Sequence, residues 1–235
     1  MSKRALRIGI VGLGDLFERS LMPRLLTAGG RERFEVCGLC DRGAAAARGF
    51  AGRFGGQVTA GSLGEVLPDG RIEAVWLLTT AQFHCEQMVA ALEAGKHVYV
   101  QNPLGTSIPE VDRTIAAQAG SEKSVAAAPG QMLSPVFGEV GKAIAGGAIG
   151  RTYFATAPIM GWFGVVMDWP SGPSWRFREG KGPPRDHGVY GLTTLLWMLG
   201  PARRVSAMTS VRTDHRIWRG EKFAVTEHDN AGVLT

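Results

Sequence analysis

Two glycines near the start of the chain have the spacing of a phosphate-binding turn. Gly12 and Gly14 belong to "GLGDLF", which directly follows an apolar run. The first glycine of such a turn permits a tight bend, and the second lets the backbone approach a pyrophosphate at a helix N-terminus. We therefore predict that Gly12 and Gly14, followed by Asp15 and Leu16, bind a dinucleotide. The third position of the motif holds Phe17, a bulky ring where close helix–strand packing favours Gly or Ala.

An acidic residue stands at the end of the second apolar run. Asp41 directly follows "FEVCGLC", where a carboxylate can accept the ribose hydroxyls of an adenosine. Asp41 would repel a 2′-phosphate and so favours NAD, whereas Arg42 could pair with that phosphate and favour NADP. Arg42 is equally explained as an exposed residue at a helix start. The predicted cofactor is NAD or NADP, with NAD slightly favoured; a flavodoxin-like sheet with an incidental glycine turn remains the alternative.

Polar residues end two further β-type runs. Thr79 and Thr80 close one of them, and Gln101, Asn102 and Pro103 directly follow "KHVYV". Ligands collect at the carboxyl ends of parallel strands. We therefore predict that all five residues contact the cofactor and that Asn102 also contacts substrate. Neither Gln101 nor Asn102 can exchange a proton near neutral pH.

The elements around these residues alternate up to about residue 130. Short apolar runs separated by helical segments predict βαβ units and a parallel sheet. The predicted strands are 6–14, 34–41, 57–60, 72–80, 96–102 and 124–133, and the predicted helices are 20–29, 44–55, 81–95 and 107–120.

The pattern then changes to helix, strand, loop, helix and two strands. The corresponding segments are 136–150, 151–160, 161–184, 186–200, 203–212 and 222–235. We predict an α/β Rossmann domain over 1–130 and an incomplete α+β domain with an open, mainly antiparallel sheet over 131–235, for substrate binding or oligomerisation.

Charge and cysteine content limit the partners. The formal net charge is +5, and the densest basic stretch, Arg203–Lys222, lacks the interleaved aromatic residues of a nucleic-acid site. Cys37 and Cys40 form a CxxC motif inside a β-type run, so the two thiols should point to opposite faces and not meet. An odd cysteine count fits a reducing cytoplasm. No apolar stretch has the length of a membrane helix or the form of a signal peptide. We predict a cytoplasmic protein with no metal, nucleic-acid or membrane partner.

Several longer stretches occur in a recognisable order. They are "RIGIVGLGDLFERSLMPRL", "HCEQMVAALEAGKHVYVQNPLG", "AIGRTYFA" and "SWRFREGKGPPRDHGVYGLTTLLWMLGPARRV". Together they resemble the Gfo/Idh/MocA family of oxidoreductases over nearly the whole chain. The resemblance implies an N-terminal Rossmann domain, a C-terminal open antiparallel sheet and NAD(P)-dependent redox chemistry on sugars or polyols. His84 matches a histidine common in the family, which orders the loop beside the cofactor.

One departure from the family lies in the "QNPLG" loop. Family members usually have Glu-Lys-Pro where this chain has Gln101, Asn102 and Pro103. The resemblance implies that this lysine holds the substrate and helps to move its hydroxyl proton. Asn102 can only form hydrogen bonds.

A second departure lies in the segment "DHGVY". The family's Asp-x-Gly-x-His becomes Asp186, Gly188 and Tyr190, and the usual aspartate three residues later is Thr193. Asp186, Tyr190, Thr193 and Trp197 have the spacing of one helical face. We predict Tyr190 and Asp186 as catalytic residues.

Tyr190 could act as an acid or base if a cation lowered its pKa. Lys181 and Arg185 are close enough in sequence to supply that cation, and His187 is an alternative base. The alternatives are that Tyr190 is a packed ring and that Asp186 is a helix N-cap. The predicted substrate residues are Asn102, Gln131, Trp175, Arg176, Asp186, His187 and Tyr190.

Two functions follow from these patterns. The first is an NAD(P)-dependent oxidoreductase that transfers a hydride to or from a sugar-like or cyclic hydroxy/keto substrate. The second is a family member that binds cofactor but has lost hydride transfer and serves as a non-redox enzyme or a partner-binding subunit. Because the family's second domain normally continues beyond "NAGVLT", we expect either a shortened chain or a homo-oligomer formed through the second-domain sheet.

Overall fold

The computed structural model describes residues 4–55, 57–159, 172–178 and 181–235. It divides into two compact units, Met1–Ala128 and Pro129–Thr235. The roles predicted for the two parts, dinucleotide binding for the first and substrate binding or oligomerisation for the second, stay predictions. No helix among the described residues is long and apolar enough to span a bilayer.

The first unit is built on a parallel sheet of six strands. In chain order these are β1 (Leu6–Val11), β2 (Phe34–Cys40), β3 (Thr59–Gly61), β4 (Ala74–Leu77), β5 (His97–Val100) and β6 (Val125–Ala127). Their order across the sheet is β3-β2-β1-β4-β5-β6. The chain therefore reverses its direction of progress between β1 and β4, the position where doubly wound sheets bind ligands.

Helices connect these strands. The α-helices are α1 (Met22–Leu25), α2 (Ala28–Arg33), α3 (Ala44–Ala51), α4 (Leu63–Val66), α5 (His84–Glu93) and α6 (Ile108–Ala119), with a 3-10 turn at Ala81–Phe83. The predicted α/β Rossmann fold is confirmed. Ile8 and Ile10 of β1 pack in one core cluster and Val11 in another, and all three are at most 1% exposed. Burial of both sheet faces explains why the strands are continuous apolar runs.

The first helix begins earlier than predicted. A π-helical turn, Phe17–Leu21, precedes α1, so the prediction of a helix starting at residue 20 is wrong. Phe17 is fully buried, and its ring meets the Phe50 ring edge-to-face at 5.4 Å between centroids. The bulky residue is therefore accommodated in the core below the glycine turn.

The predicted helix end near Gly29 is also wrong, because a second helix, α2, starts there. The hydroxyl of Thr27 accepts a hydrogen bond from the Gly30 N–H at 3.0 Å and caps α2.

The cysteines of the CxxC motif lie on the same side of the sheet, against the prediction. Cys37 and Cys40 both belong to the core cluster that contains Val11, because the pairing of β1 with β2 shifts by one residue between Cys37 and Gly38. Both thiols are free and buried. Burial, reinforced by Asp41, raises the pKa of Cys40 to about 11, which keeps it a protonated thiol near neutral pH.

The second unit has helices and two short antiparallel sheets. Its elements are α7 (Pro135–Ala145), α8 (Gly182–Asp186), α9 (Gly188–Leu199), β7 (Ser206–Ser210), β8 (His215–Trp218), β9 (Glu221–Ala224) and β10 (Asn230–Leu234), with 3-10 turns at Gln131–Leu133 and Ser174–Phe177. β7 pairs with β10, and β8 pairs with β9. The predicted α+β character with antiparallel strands is confirmed.

Two local predictions for this unit fail. Residues 151–159 of the predicted strand 151–160 form no strand and are mostly exposed; Tyr153 is 96% exposed. No strand of the described residues pairs with this segment, so its β propensity is not stabilised. Strand β8 was not predicted; it forms a hairpin with β9 through Arg219 and Gly220, whose φ angles of 49° and 82° suit a tight two-residue turn.

Asp69 holds together the segments around β3 and β4. Its carboxylate accepts hydrogen bonds from the Arg71 N–H at 2.9 Å, from the Arg71 guanidinium at 2.6 Å and from the Thr59 hydroxyl at 2.7 Å. The Arg71 guanidinium holds the pKa of Asp69 well below its usual range, and Thr59 adds to this. Only 11% of the Asp69 side chain is exposed.

We predict that Asp69→Asn lowers the free energy of unfolding by about 1–3 kcal/mol at neutral pH, because the Arg71 and Thr59 donors lose their charged, largely buried acceptor. A carboxyl whose pKa is depressed by folding stabilises the protein above its unfolded pKa of about 3.9, and this contribution is lost as the pH falls through the folded value. The difference in the free energy of unfolding between the wild-type protein and Asp69→Asn should therefore become smaller in acid. Urea denaturation at neutral and acidic pH measures this difference.

The matched control is Glu139→Gln, which removes an ion pair with Lys142 whose side chains are 75% and 76% exposed. Such a surface pair contributes little. An equal loss of stability in both variants would contradict the role of Asp69.

Candidate functional site

Gly12 is required by the fold itself. Its φ angle is 96°, a conformation that favours glycine. A Cβ on this residue would lie 2.8 Å from the backbone of Leu78 and Thr79, which follow β4. The Gly12 N–H also donates to the Cys40 carbonyl at 2.8 Å. The turn after β1 is therefore held between β2 and β4.

Gly14, by contrast, has space around it. A Cβ there would meet no atom within 4 Å, and its φ angle is not in the left-handed region. The Glu18 N–H donates to the Gly14 carbonyl at 3.0 Å, so the helical segment begins directly after this glycine, with Asp15 and Leu16 in its first turn. The first amides of a helix have no acceptor within the helix and favour an anion. Gly14 therefore leaves an open approach to these amides.

Asp41 is fixed to the glycine turn. Its Oδ2 atom accepts a hydrogen bond from the Leu13 N–H at 2.7 Å. No other hydrogen bond to Asp41 comes from the described residues, so Oδ1 can accept a ligand hydroxyl. Arg42 is exposed and makes no hydrogen bond within the same residues. These groups fit the adenosine and pyrophosphate of a dinucleotide.

His84 joins the two polar loops predicted to contact the cofactor. The ring is buried, with Nδ1 2.8 Å from the Pro103 carbonyl and Nε2 2.9 Å from the Thr79 carbonyl. A neutral ring can donate to only one of these oxygens, whereas an imidazolium donates to both. Thr79 also donates its hydroxyl to Gln87 at 2.6 Å, and the Thr80 carbonyl accepts from the Phe83 N–H at 3.0 Å. The segments that follow β4 and β5 are thus linked by hydrogen bonds through His84.

The neighbouring amide side chains have structural partners. The Gln101 N–H donates to the Leu77 carbonyl at 3.0 Å, and its side chain donates to the Tyr99 hydroxyl at 3.0 Å. Asn102 belongs to the same loop, before the cis peptide bond to Pro103. The structure therefore brings Thr79, Thr80, His84 and residues 101–103 to one edge of the sheet in the first unit.

In the second unit, the prediction that Asp186 and Tyr190 lie on one face of a single helix is wrong. The helix is interrupted at His187: α8 ends at Asp186, and α9 begins at Gly188. Asp186 forms an ion pair with Arg176 at the end of α8. It is therefore not the N-cap of α9, the alternative considered from the sequence. Trp197 packs on α7, where its ring occupies the space that a Cβ on Gly141 would take.

The pKa of Tyr190 is raised, so the condition set from the sequence, a pKa lowered by a nearby cation, is not met. Burial raises the pKa, Asp186 adds to this, and Arg176 opposes it. The phenol thus stays protonated at neutral pH and can donate a proton but not accept one. The side chain is 37% exposed, so it remains within reach of a ligand.

His187 lies beside the Tyr190 ring. The two rings are stacked with centroids 6.4 Å apart, and the Nδ1 atom lies 3.4 Å from the Asp186 carboxylate. Burial lowers the pKa of His187 in spite of Asp186, and Arg176 contributes to the lowering. His187 is therefore neutral at pH 7.

Gln131 is directed towards α9. Its side-chain amide donates to the Tyr190 carbonyl and to the Thr194 hydroxyl, both at 2.7 Å. These contacts position the helix that carries Tyr190. The substrate role predicted for Gln131 stays a prediction.

Two cationic side chains form cation–π contacts with the Trp175 ring. The Arg176 guanidinium carbon lies 4.6 Å from the ring centroid and the Lys181 ammonium 4.9 Å from it. Lys181 was not predicted as a site residue, because a lysine in a Gly- and Pro-rich segment is indistinguishable in sequence from an exposed one. Its burial, at 8% exposure, becomes evident only in the fold.

We predict opposite results for alanine at the two glycines of the turn. Gly12→Ala should prevent folding, because the added Cβ meets backbone atoms that cannot move away. Gly14→Ala should fold normally but bind NADH about tenfold more weakly or worse, a loss of about 1.4 kcal/mol. Thermal unfolding and fluorescence titration with NADH measure the two effects. Unchanged NADH affinity in Gly14→Ala would show that no pyrophosphate approaches this residue.

Comparison with known proteins agrees with this architecture. Residues 6–128 match the family described as "Oxidoreductase family, NAD-binding Rossmann fold", and residues 137–235 match the "GFO/IDH/MocA C-terminal domain". A crystal structure of an NAD binding oxidoreductase from Klebsiella pneumoniae superposes with a TM-score of 0.77 at 22% identity, covering 98% of this chain and 63% of the other.

Two curated relatives are similar in sequence. An uncharacterized oxidoreductase of Rhizobium meliloti is 32% identical over 145 residues, 62% of this chain and 42% of that protein. A 1,5-anhydro-D-fructose reductase of Ensifer adhaerens is 28% identical over 207 residues, 85% of this chain and 59% of that protein. The chain thus spans about half the length of these relatives. Because the two family matches follow one another over most of its residues, the chain belongs to the Gfo/Idh/MocA family of oxidoreductases.

Proposed function

We propose that the protein is an NAD(P)-dependent oxidoreductase that transfers a hydride to or from a sugar-like or cyclic hydroxy/keto substrate. The observation that carries the proposal is the fixed Asp41 carboxylate, 2.7 Å from the Leu13 amide, next to the unobstructed Gly14. The similarity to a 1,5-anhydro-D-fructose reductase supports the substrate class.

The cofactor would be held by the first unit. Asp41 would accept hydrogen bonds from the ribose hydroxyls, and the amides after Gly14 would bind the pyrophosphate. Thr79, Thr80, His84 and the loop of residues 101–103 shape the adjoining edge of the sheet. When bound, the nicotinamide supplies or accepts the hydride. NAD is favoured over NADP, because the Asp41 carboxylate is fixed in place whereas Arg42 extends into solvent.

Proton transfer would depend on Tyr190. Its protonated hydroxyl can donate to the oxygen of a carbonyl as that oxygen gains charge, which favours the reductive direction. Asp186 is assigned a positioning role, because its ion pair with Arg176 holds the carboxylate in place. Neutral His187, stacked on Tyr190, can hydrogen-bond a substrate hydroxyl. Trp175, Arg176 and Asn102 are the remaining proposed substrate residues.

A family member without hydride transfer is the second candidate. It is favoured by one observation: Asn102 and Gln101 carry no titratable group at the loop after β5. Such a protein would bind NADH but would show no turnover with any carbonyl substrate.

We predict that Tyr190→Phe lowers kcat for NADH-dependent carbonyl reduction by about 100-fold or more, because it removes the proton donor. Purified protein is first titrated with NADH and NADPH, and tighter binding of NADH is expected. NADH oxidation is then followed with 1,5-anhydro-D-fructose and a set of cyclic ketones. Because the pKa of Tyr190 is raised, the rate should stay constant between about pH 7 and pH 9.

The matched control is Tyr153→Phe, which alters a tyrosine that is 96% exposed. Equal rates in Tyr190→Phe and the wild-type protein would remove Tyr190 from the mechanism. NADH binding without turnover of any carbonyl compound would favour the second candidate.

The proposal includes a cytoplasmic location and a small-molecule rather than nucleic-acid partner. Three buried free cysteines fit a reducing compartment. Within the basic stretch, Arg216 pairs with Asp229 at 2.8 Å, and Arg219 stacks on Trp218. These arginines stabilise the second unit, which makes them less suited to contact a phosphate backbone.

We also infer a homo-oligomer formed through the sheet of the second unit. Every residue of β7 and β10 is exposed, including Met208 at 82%, and unpaired strand edges favour association. Light scattering should give a multiple of the 25.1 kDa chain mass, and Met208→Lys should shift it towards the monomer. A wild-type protein that is monomeric at all concentrations would contradict the inference.

A further inference from the structure

Lys181 is a buried cation that has no anionic partner among the described residues. The residue is 8% exposed, and its ammonium makes no hydrogen bond or ion pair with any of the described residues. The ammonium lies over the Trp175 ring, 4.9 Å from its centroid. Burying a charged amine without an acceptor is costly, and a cation–π contact compensates only in part.

Among the described residues, the charged groups that act on Lys181 are two arginines and one carboxylate. Arg176 occupies the same Trp175 ring, and Arg178 is near enough to act on the ammonium electrostatically. The carboxylate that opposes them is Asp186, which is already paired with Arg176. Burial lowers the pKa of Lys181, Arg178 and Arg176 lower it further, and Asp186 raises it. An added anion would therefore be attracted to this position.

The backbone holds Lys181 in this place. Gly182 has a φ angle of 55°, and a Cβ on it would lie 2.6 Å from both Glu227 and the His228 carbonyl. The Glu227 carboxylate accepts a hydrogen bond from the His228 N–H at 2.9 Å. The Lys181 N–H donates to the Arg178 carbonyl at 3.1 Å. The lysine is thus presented on a turn that is fixed by close packing.

We propose that Lys181 and Trp175 form a binding site for an anionic oxygen group of the substrate, a carboxylate or a phosphate. The ammonium donates charge-assisted hydrogen bonds to the anionic oxygens, and the indole ring packs against the body of the molecule. The proposal rests on the proposed function, because it takes the anionic group to be part of the redox substrate. It restricts the proposed sugar-like substrates to sugar acids or sugar phosphates.

The test compares matched neutral and anionic sugars on the full-length protein saturated with NADH. D-glucose, D-glucuronate, D-galacturonate and D-glucose 6-phosphate are titrated by calorimetry into the wild-type protein and into Lys181→Met. At least one anionic sugar should bind the wild-type protein about tenfold or more tightly than glucose, and this preference should disappear in Lys181→Met. A preference for the two uronates identifies a carboxylate, and a preference for glucose 6-phosphate identifies a phosphate.

Two further variants control the result. Lys142→Met removes a lysine that is 76% exposed and should retain the anion preference. If Lys181→Met does not fold, as judged by circular dichroism, Lys181→Arg and Lys181→Gln are compared, and only the charged variant should retain the preference.

Equal or undetectable binding of neutral and anionic sugars by the wild-type protein would overturn the proposal. So would a preference that survives in the neutral variant, or a loss of NADH affinity in that variant. These outcomes differ from failure of the proposed function, which would appear as absent NADH binding or absent NADH turnover in the wild-type protein.

Discussion

The hydrogen bond between the Leu13 N–H and the Asp41 carboxylate organises the first unit around its ligand-binding edge. It joins the turn after β1 to the end of β2, at 2.7 Å. Gly12 makes this possible, because its left-handed backbone brings the turn against Leu78 without a side chain in between. Since β1 lies between β2 and β4 in the sheet, the turn that follows β1 contacts the ends of both neighbouring strands. The geometry of this turn is therefore set by contacts within the first unit.

The second unit depends on a different interaction, the engagement of one carboxylate, Asp186, by several described cationic or titratable side chains near Trp175. Asp186 is shared among Arg176, His187 and the more distant Lys181. Both contacts with Arg176 and His187 hold this carboxylate in one place. Burial raises the pKa of Tyr190, and the same carboxylate adds to this. The Tyr190 phenol is therefore protonated near neutral pH.

The fold was predictable from the sequence where a local residue pattern is compatible with a single local structure. Continuous apolar runs such as β1, followed by Gly12, define a buried parallel strand and its turn. The shift at Gly38 was not predictable, because a one-residue change in pairing depends on the neighbouring strand. The break at His187 was missed for a related reason: helical spacing through Asp186 and Tyr190 is preserved in sequence even though the backbone leaves the helix between them. Lys181 resembles any surface lysine until the fold buries it.

The loop after β5 shows how a binding surface can retain its shape without a proton carrier. Its backbone is held by the Gln101 N–H on the Leu77 carbonyl and by His84 on the Pro103 carbonyl. Both anchors use backbone atoms, so neither depends on the side chain at position 102. Asn102 itself adds no acid–base group to this loop. A reductase built on this chain must obtain its proton elsewhere, and Tyr190 is the group whose protonation suits that role.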